Sequence, residues 1–214
     1  MRKSVRMLTE AEGIDLLERI AGKDKLAFER FYYEYAGAIG AYLMKLLKMP
    51  ELVDAAVNDF MLAVWQSAGD FDPARGKLST WLFGIAHHKG LNILERHTRH
   101  PMLSLDEIPE ENQGDADPHL SPGAAVLPGY VSAPERDVMG WELGEAMQWA
   151  FTQLSADHRG VLELCFGQAC TYQEMAEIMG CPVNTVKTRM FHARKRLSEL
   201  LAQRGFALQE VGIP

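Results

Sequence analysis

At 214 residues the chain has length for one large domain or two small ones. Its 47% hydrophobic and 24% charged residues exclude a disordered polymer, and no apolar run approaches the roughly 20 residues a membrane span requires. The net charge of −7 argues against a nucleic-acid partner only until its distribution is read: from Pro101 to Asp137 eight acidic residues face one arginine, which leaves the rest of the chain neutral. The start, MRKSVRMLTEAEG, carries positive groups with no apolar stretch behind them. No signal peptide is therefore expected, and the expected location is cytoplasmic.

In chain order, Thr9-Glu10-Ala11-Glu12 reads as a capping box that opens a short helix. Gly22 ends it and Asp24 caps the next. Phe28, Phe31, Tyr35, Ile39, Tyr42 and Leu46 then recur every three or four residues, one apolar helix face. Pro50 opens a third helix with Val53, Val57, Phe60, Met61 and Val64 inward and Trp65 near its end. Gly, Asp and Pro make Ser67–Lys77 a loop. Ser79 or Thr80 then caps a fourth helix that turns Trp81, Leu82, Ile85, Leu91 and Leu94 inward.

The segment 101–133 differs in kind. It is acidic, lacks periodicity and, with Pro134 at its far edge, holds six prolines. It reads as a flexible linker, because a structureless run of this length does not suit a single compact domain. Whether it only tethers or also lies in a basic channel of a partner, composition leaves open.

Beyond it, Pro134 suits a first helical turn, and Val138, Trp141, Leu143, Met147 and Phe151 give an apolar face. Ser155 opens a helix carrying Val161, Leu162, Leu164 and Cys165. Thr171-Tyr172-Gln173-Glu174 is a second capping box, followed by Met175, Ala176 and Ile178. Gly180 ends that helix and Pro182 starts the last. No strand pattern and no internal repeat appears. The expected fold class is all-α: two small helical domains, 8–100 and 134–205, joined by the flexible acidic linker 101–133.

Thr171–Leu197 has the form of a helix-turn-helix: two short helices about a tight turn at Gly180-Cys181-Pro182. Val183, Val186, Met190, Ala193 and Leu197 space the apolar face of its second helix. Asn184, Lys187, Thr188, Phe191 and His192 lie opposite, flanked by Arg189, Arg194, Lys195 and Arg196. From Lys187 to Arg204 six basic residues face the single Glu199. Such a helix can enter a major groove, with polar groups on base edges and cations on phosphates. A merely solvated surface helix would not require the turn, the capping box and the small Ala176 together.

The cysteines, Cys165, Cys170 and Cys181, are odd in number, and their spacing suits neither a disulfide framework nor a zinc site. They read as small apolar core residues; redox sensing stays open. His87 and His88 are adjacent on a helix and cannot share a metal. No nucleophile elbow or Gly-rich phosphate loop is present. The expectation is no catalytic residue, no metal and no cofactor.

The run TYQEMAEIMGCPVNTVKTRMFHARKRL resembles region 4 of extracytoplasmic-function sigma factors. DAAVNDFMLAVW and FDPARGKLSTWLFGIAHHKGLNILER are similar to region 2 of the same family, in the same order, so that the resemblance covers about residues 24–98 and 134–203. It implies a protein that binds core RNA polymerase, on the clamp of the largest subunit and on the flap, and directs it to promoter DNA. An anti-sigma factor is the implied controlling partner, and the polymerase does the chemistry. Carried over residue by residue, core binding falls on Asp54, Asn58, Asp59 and Ala63. Minus-10 recognition and melting fall on Ser67, Phe71, Lys77, Trp81, His88 and Arg96. Minus-35 recognition falls on Tyr172, Asn184, Thr185, Lys187, Thr188, Arg189, Phe191, His192, Arg194 and Lys195. Trp81 opens an amphipathic helix, so a core role competes with stacking on a flipped base. Ala55 stands where relatives usually carry an acid, His88 where they often carry asparagine, Asn92 aspartate and His192 arginine. Two other readings use part of the same features: a helix-turn-helix regulator that never touches polymerase, and a sigma mimic that titrates an anti-sigma factor.

Overall fold

The computed structural model describes residues 8–99 and 138–206, which fall into two compact units. The linker expected at 101–133 and the helix opening expected at Pro134 lie outside them, as do the side chains of Val138 and Trp141. Among the described residues there are eight α-helices and no strand.

The first unit holds α1 (Glu10–Ala21), α2 (Lys25–Leu47), α3 (Pro50–Ser67) and α4 (Leu78–Arg99). Local chemistry sets the first two starts. Thr9 and Glu12 exchange the two hydrogen bonds of a capping box. The Asp24 carboxylate accepts from the amides of Leu26 and Ala27 at 2.9 and 3.2 Å. Arg19, 2.7 Å away, hydrogen-bonds that carboxylate and holds it below the usual carboxylate range. Leu16, Leu17 and Ile20 of α1 are buried, as are Phe31, Ile39, Tyr42, Leu43 and Leu46 of α2, and α3 adds its five expected residues, Val53, Val57, Phe60, Met61 and Val64. Phe28 and Tyr35, expected inward, are half-buried; Phe28 lies edge-on to Trp65 at 5.1 Å and Tyr35 stacks on Phe31 at 4.4 Å.

Three expectations change here. The segment 67–77 is not all loop: α3 runs through Ser67 and a single 3-10 turn continues over Ala68–Asp70. Neither Ser79 nor Thr80 caps α4, since both lie inside its first turn. The amide of Leu78 instead donates to the carboxylate of Glu10 on α1 at 3.1 Å. A carboxylate at a helix N-terminus also meets the positive end of the helix dipole. Finally, the inward face of α4 is Leu78, Leu82, Ala86, His87, Gly90 and Ile93, so that of the five residues expected only Leu82 is fully buried. Small residues let α4 come close to α2. A Cβ on Gly90 would stand 2.9 Å from Leu43 and 3.0 Å from Leu46. The buried His87 ring meets the Tyr42 hydroxyl at 2.8 Å through Nδ1.

The second unit holds α5 (Val138–Thr152), α6 (Ala156–Leu162), α7 (Tyr172–Met179) and α8 (Val183–Ala202). Ser155 caps α6 and Thr171–Glu174 forms the second capping box, both as expected. Leu143, Met147 and Phe151 of α5 are half-buried; among its described side chains the fully buried ones are Ala146 and Ala150, with Leu154 just beyond. The helix opened by Ser155 does not stay α-helical to Cys165, because Glu163–Gly167 winds as one π turn. Arg159 and Glu163 are buried there, at 8% and 3% exposure. Arg159 donates to the Leu154 carbonyl, Gln168 donates to Glu163, and burial lowers the Arg159 pKa. Gly180 takes φ 63°, ψ 33°, the left-handed conformation that a side chain disfavours, and so turns the chain from α7 into α8. Ala176 is buried at that junction, as expected. All three cysteines are free thiols: Cys170 is buried, and Cys165 and Cys181 are half-buried.

Phe60 is fully buried, whereas Leu62, two residues on, is 54% exposed. Phe60→Ala is expected to lower the unfolding free energy by about 3–5 kcal/mol. Leu62→Ala should change it by no more than about 0.5 kcal/mol. Urea melts followed by circular dichroism read both; equal losses would contradict the packing of α3.

Candidate nucleic-acid interface

The candidate residues occupy three helix faces, and each face is defined by what its opposite side buries. On α8, Val186, Met190, Ala193 and Leu197 are buried, with Leu200 and Leu201 continuing the seam. At 3.6 residues per turn the opposite side is centred on Asn184, Thr188, Phe191 and Lys195, with His192 beside them. Phe191 is the exposed aromatic of this face, at 46%, its ring edge-on to His192 at 5.4 Å. The Thr188 hydroxyl donates to the Asn184 carbonyl at 3.0 Å, leaving its oxygen able to accept.

Lys195 apart, the cations lie on the two edges of this face. Lys187 and Arg194 share one edge, Thr185, Arg189 and Arg196 the other. Arg189 is only 30% exposed and is tied to Asp157 of α6 at 3.2 Å, so it docks α8 on the scaffold as well as edging the face. Tyr172, the first residue of α7, is half-buried, which pushes its phenol up; the same happens to the Cys165 thiol, and the Arg194 charge pulls both the other way. Arg196 pairs with Glu199 at 3.3 Å. The sequence reading placed Lys187 with the central residues; the structure places it on the edge, half-buried.

On α4, Trp81, His88, Asn92 and Arg99 form one stripe by helical spacing, with His88 and Asn92 exposed and Trp81 half-buried. Phe71 packs on Trp81 with ring centroids 5.6 Å apart. Asp72 shapes the intervening turn by accepting from the Ala74 amide at 2.9 Å. The structure thus brings Phe71, Trp81 and His88 to one side of the unit, and Lys77 is exposed at the foot of the helix. It does not bring Ser67 or Arg96 to them. The Ser67 hydroxyl donates to the Ala63 carbonyl of its own helix at 2.8 Å. Arg96 lies off the stripe, its Nε donating to the Asn92 carbonyl at 3.2 Å and its Nη2 to Asp59 of α3 at 3.1 Å.

On α3, the four residues assigned to core binding divide. Asp54 and Asn58 are exposed. Asp59 and Ala63 are half-buried and lie toward α4, where Asp59 meets Arg96. The centre of the exposed side is Ala55, Asn58 and Leu62. Leu62 was missed by sequence reasoning. Its signal was available: a large apolar residue in the polar phase of an amphipathic helix, which packing within the unit does not require.

Both units match models of known protein families. Residues 31–100 match the model of Sigma-70 region 2, and residues 145–197 match that of Sigma-70, region 4. RNA polymerase sigma-H factor of Pseudomonas aeruginosa is 26% identical over 91% of this chain and 96% of its own length. The ECF RNA polymerase sigma factor RpoE of Cereibacter sphaeroides is 27% identical over 83% and 87%. ECF RNA polymerase sigma factor SigK of Mycobacterium tuberculosis is 25% identical over 87% and 91%. Among solved structures, the sigma factor RpoE of Bartonella quintana, crystallised with the anti-sigma factor NepR, matches 82% of this chain and 96% of that one with a TM-score of 0.57 at 21% identity. CnrH, in complex with the cytosolic domain of CnrY, covers 90% and 98% with a TM-score of 0.55 at 20% identity. At these identities the two structures speak for the fold alone. Two models of one family, in the family's order and together spanning more than half of the residues, settle the assignment: the chain belongs to the sigma-70 family, in its extracytoplasmic-function group.

Proposed function

We propose that this chain acts as an RNA polymerase sigma factor: it binds core polymerase, directs it to promoters and helps open them, under the control of an anti-sigma factor. The observation that carries the reading is the paired occurrence of regions 2 and 4, each presenting a solvent-facing side that its own packing does not use. The two domains are 8–100 and 134–205, with 101–133 as the acidic link between them. The chain has no catalytic role of its own, since bond formation belongs to the polymerase. It works in the cytoplasm, consistent with the absence of any helix long and apolar enough to cross a membrane among the described residues.

In this reading α8 enters the major groove at the minus-35 element. Asn184, Thr188, Phe191 and His192 meet base edges, while Lys187, Arg194, Lys195 and, on the far edge, Arg189 meet phosphates, with Tyr172 and Thr185 as further backbone contacts. Neutral polar and aromatic groups at the centre supply sequence discrimination, and the cations supply affinity that falls with salt. In the first unit Phe71 and Trp81 form a stacking platform for an unpaired minus-10 base, with His88 as a donor or acceptor beside it and Lys77 and Arg96 for the backbone. Core binding uses the exposed side of α3, where Leu62 adds an apolar anchor between Asn58 and Ala55, and Asp54, Asp59 and Ala63 border it. An anti-sigma factor would compete for these faces.

Run-off transcription tests the reading directly. Purified protein with core polymerase is expected to yield transcript from promoters mapped in cells that overproduce it. Failure to retain core polymerase in a pull-down excludes a sigma factor and leaves the other two readings. Binding of promoter DNA by the protein alone then favours the helix-turn-helix regulator, and its absence favours the mimic.

Two substitutions test the faces. Lys187→Ala is expected to weaken binding of double-stranded minus-35 DNA to a similar degree whatever its sequence and to reduce the salt slope by about 1. Unchanged affinity at physiological salt would count against the placement of α8. Phe71→Ala is expected to cost about 1–3 kcal/mol of stacking, and therefore to impair opening more than closed-complex formation. Permanganate reactivity of unpaired thymines reads opening, and mobility shift reads the closed complex; equal losses in both would remove Phe71 from base capture.

A further inference from the structure

One ion pair joins two surfaces that the proposed function assigns to different partners. Asp59 belongs to the polymerase-facing helix α3 and Arg96 to the promoter-facing helix α4. In this structure they spend their charges on each other at 3.1 Å. The Arg96 guanidinium is folded back along α4 by a second bond to the Asn92 carbonyl at 3.2 Å. Asp59 lies on the edge of α3 toward α4, with its carboxylate 40% exposed, so a cation from outside can still reach it.

We infer that the Asp59–Arg96 pair is a mask that couples polymerase binding to DNA binding within the first unit. In the free protein Asp59 neutralises Arg96 and holds it away from a DNA backbone. When a basic side chain of the core polymerase engages Asp59, it takes over the carboxylate and Arg96 is released to a phosphate. Either partner must break the same ion pair, and once one has broken it the other no longer bears that cost, so each strengthens the other's binding by the same factor. The pair is solvent-exposed, which makes the exchange easy and the coupling modest, about fivefold at most. Arg99 lies one turn further along α4 and is paired with Glu95 of its own helix. That pair contains no polymerase-facing residue, so its release is not linked to core binding.

The inference rests on the sigma-factor reading and is tested apart from it. The probe is a fluorescein-labelled, mixed-sequence single-stranded oligonucleotide of about 12 nucleotides, roughly the site size of a small single-strand binder. Binding to the full-length protein is followed by anisotropy without polymerase, and thermal melts by circular dichroism verify that each variant is folded. Asp59→Asn is expected to tighten binding by a few-fold, and the gain should vanish in an Arg96→Ala background. Glu51→Gln, at the exposed start of α3, removes the same charge without touching Arg96 and should give little change. In holoenzyme at saturating core the Asp59→Asn gain should likewise disappear, because core has already released Arg96. Three outcomes overturn the mask: no gain on Asp59→Asn, an equal gain with Arg96 absent, or a gain that persists in holoenzyme. If the protein supports run-off transcription while showing any of these, only the mask fails and the sigma-factor reading stands.

Discussion

The close approach of α4 to α2 is the constraint on which the first unit depends. Gly90 and Ala86 remove side-chain bulk where Leu43 and Leu46 press in, and the Tyr42–His87 hydrogen bond fixes the rotation of α4 about its axis. A one-residue rotation would turn each side chain by about 100°. It would bury Asn92 or expose His87, and a buried imidazole without its hydroxyl partner is costly. The stripe Trp81–His88–Asn92 therefore faces outward because the opposite side is taken up by Leu78, Leu82 and Ile93, by the small Ala86 and Gly90 where α2 comes close, and by the His87 ring bonded to Tyr42. The exposed set is a by-product of a tightly specified buried set.

The second unit reaches the same end with different means. Here α8 buries bulky Val186, Met190 and Leu197 rather than glycine, and rotation is fixed by ordinary interdigitation. A left-handed glycine and a capping box set the angle at which α7 delivers the chain to α8. Buried charge sits just before, in Arg159 and Glu163 around the π turn. In both units the solvent face is dominated by neutral polar and aromatic groups with arginines at the edges, and two of those arginines, Arg96 and Arg189, are tied to an acid on a neighbouring helix.

What could be read from the sequence followed the range of the physics. Caps at Thr9, Asp24, Ser155 and Thr171 and the stop at Gly180 involve partners within a few residues, so the residue order contains the interaction. The buried faces of α3 and α8 are made of large apolar residues at helical spacing and were equally plain. The inward face of α4 was not, because a search for bulk selects Ile85, Leu91 and Leu94 and passes over Ala86, His87 and Gly90. The cap of α4 was missed for a related reason: Ser79 and Thr80 have the right chemistry nearby, but the amide of Leu78 is met by a carboxylate 68 residues away in the chain. The candidate faces were legible in composition. The ties between Asp59 and Arg96 and between Asp157 and Arg189 were not, since both members of each pair look like free surface charge until helices are placed side by side.

That distant carboxylate has a consequence for where this module ends. Glu10 sits outside the stretch that matches region 2 by sequence, residues 31–100, yet it completes the first turn of the helix that carries Trp81 and His88. Gly13, one turn further along α1, leaves the room that Leu78 occupies: a Cβ there would stand 2.6 Å from its side chain. The boundary of likeness and the boundary of the cooperative folding unit are therefore different lines. Besides burying Leu16, Leu17 and Ile20, α1 must supply an acceptor and a gap at the foot of α4. A fragment trimmed to the recognisable region would keep every candidate contact residue of the first unit and lose the support that starts their helix.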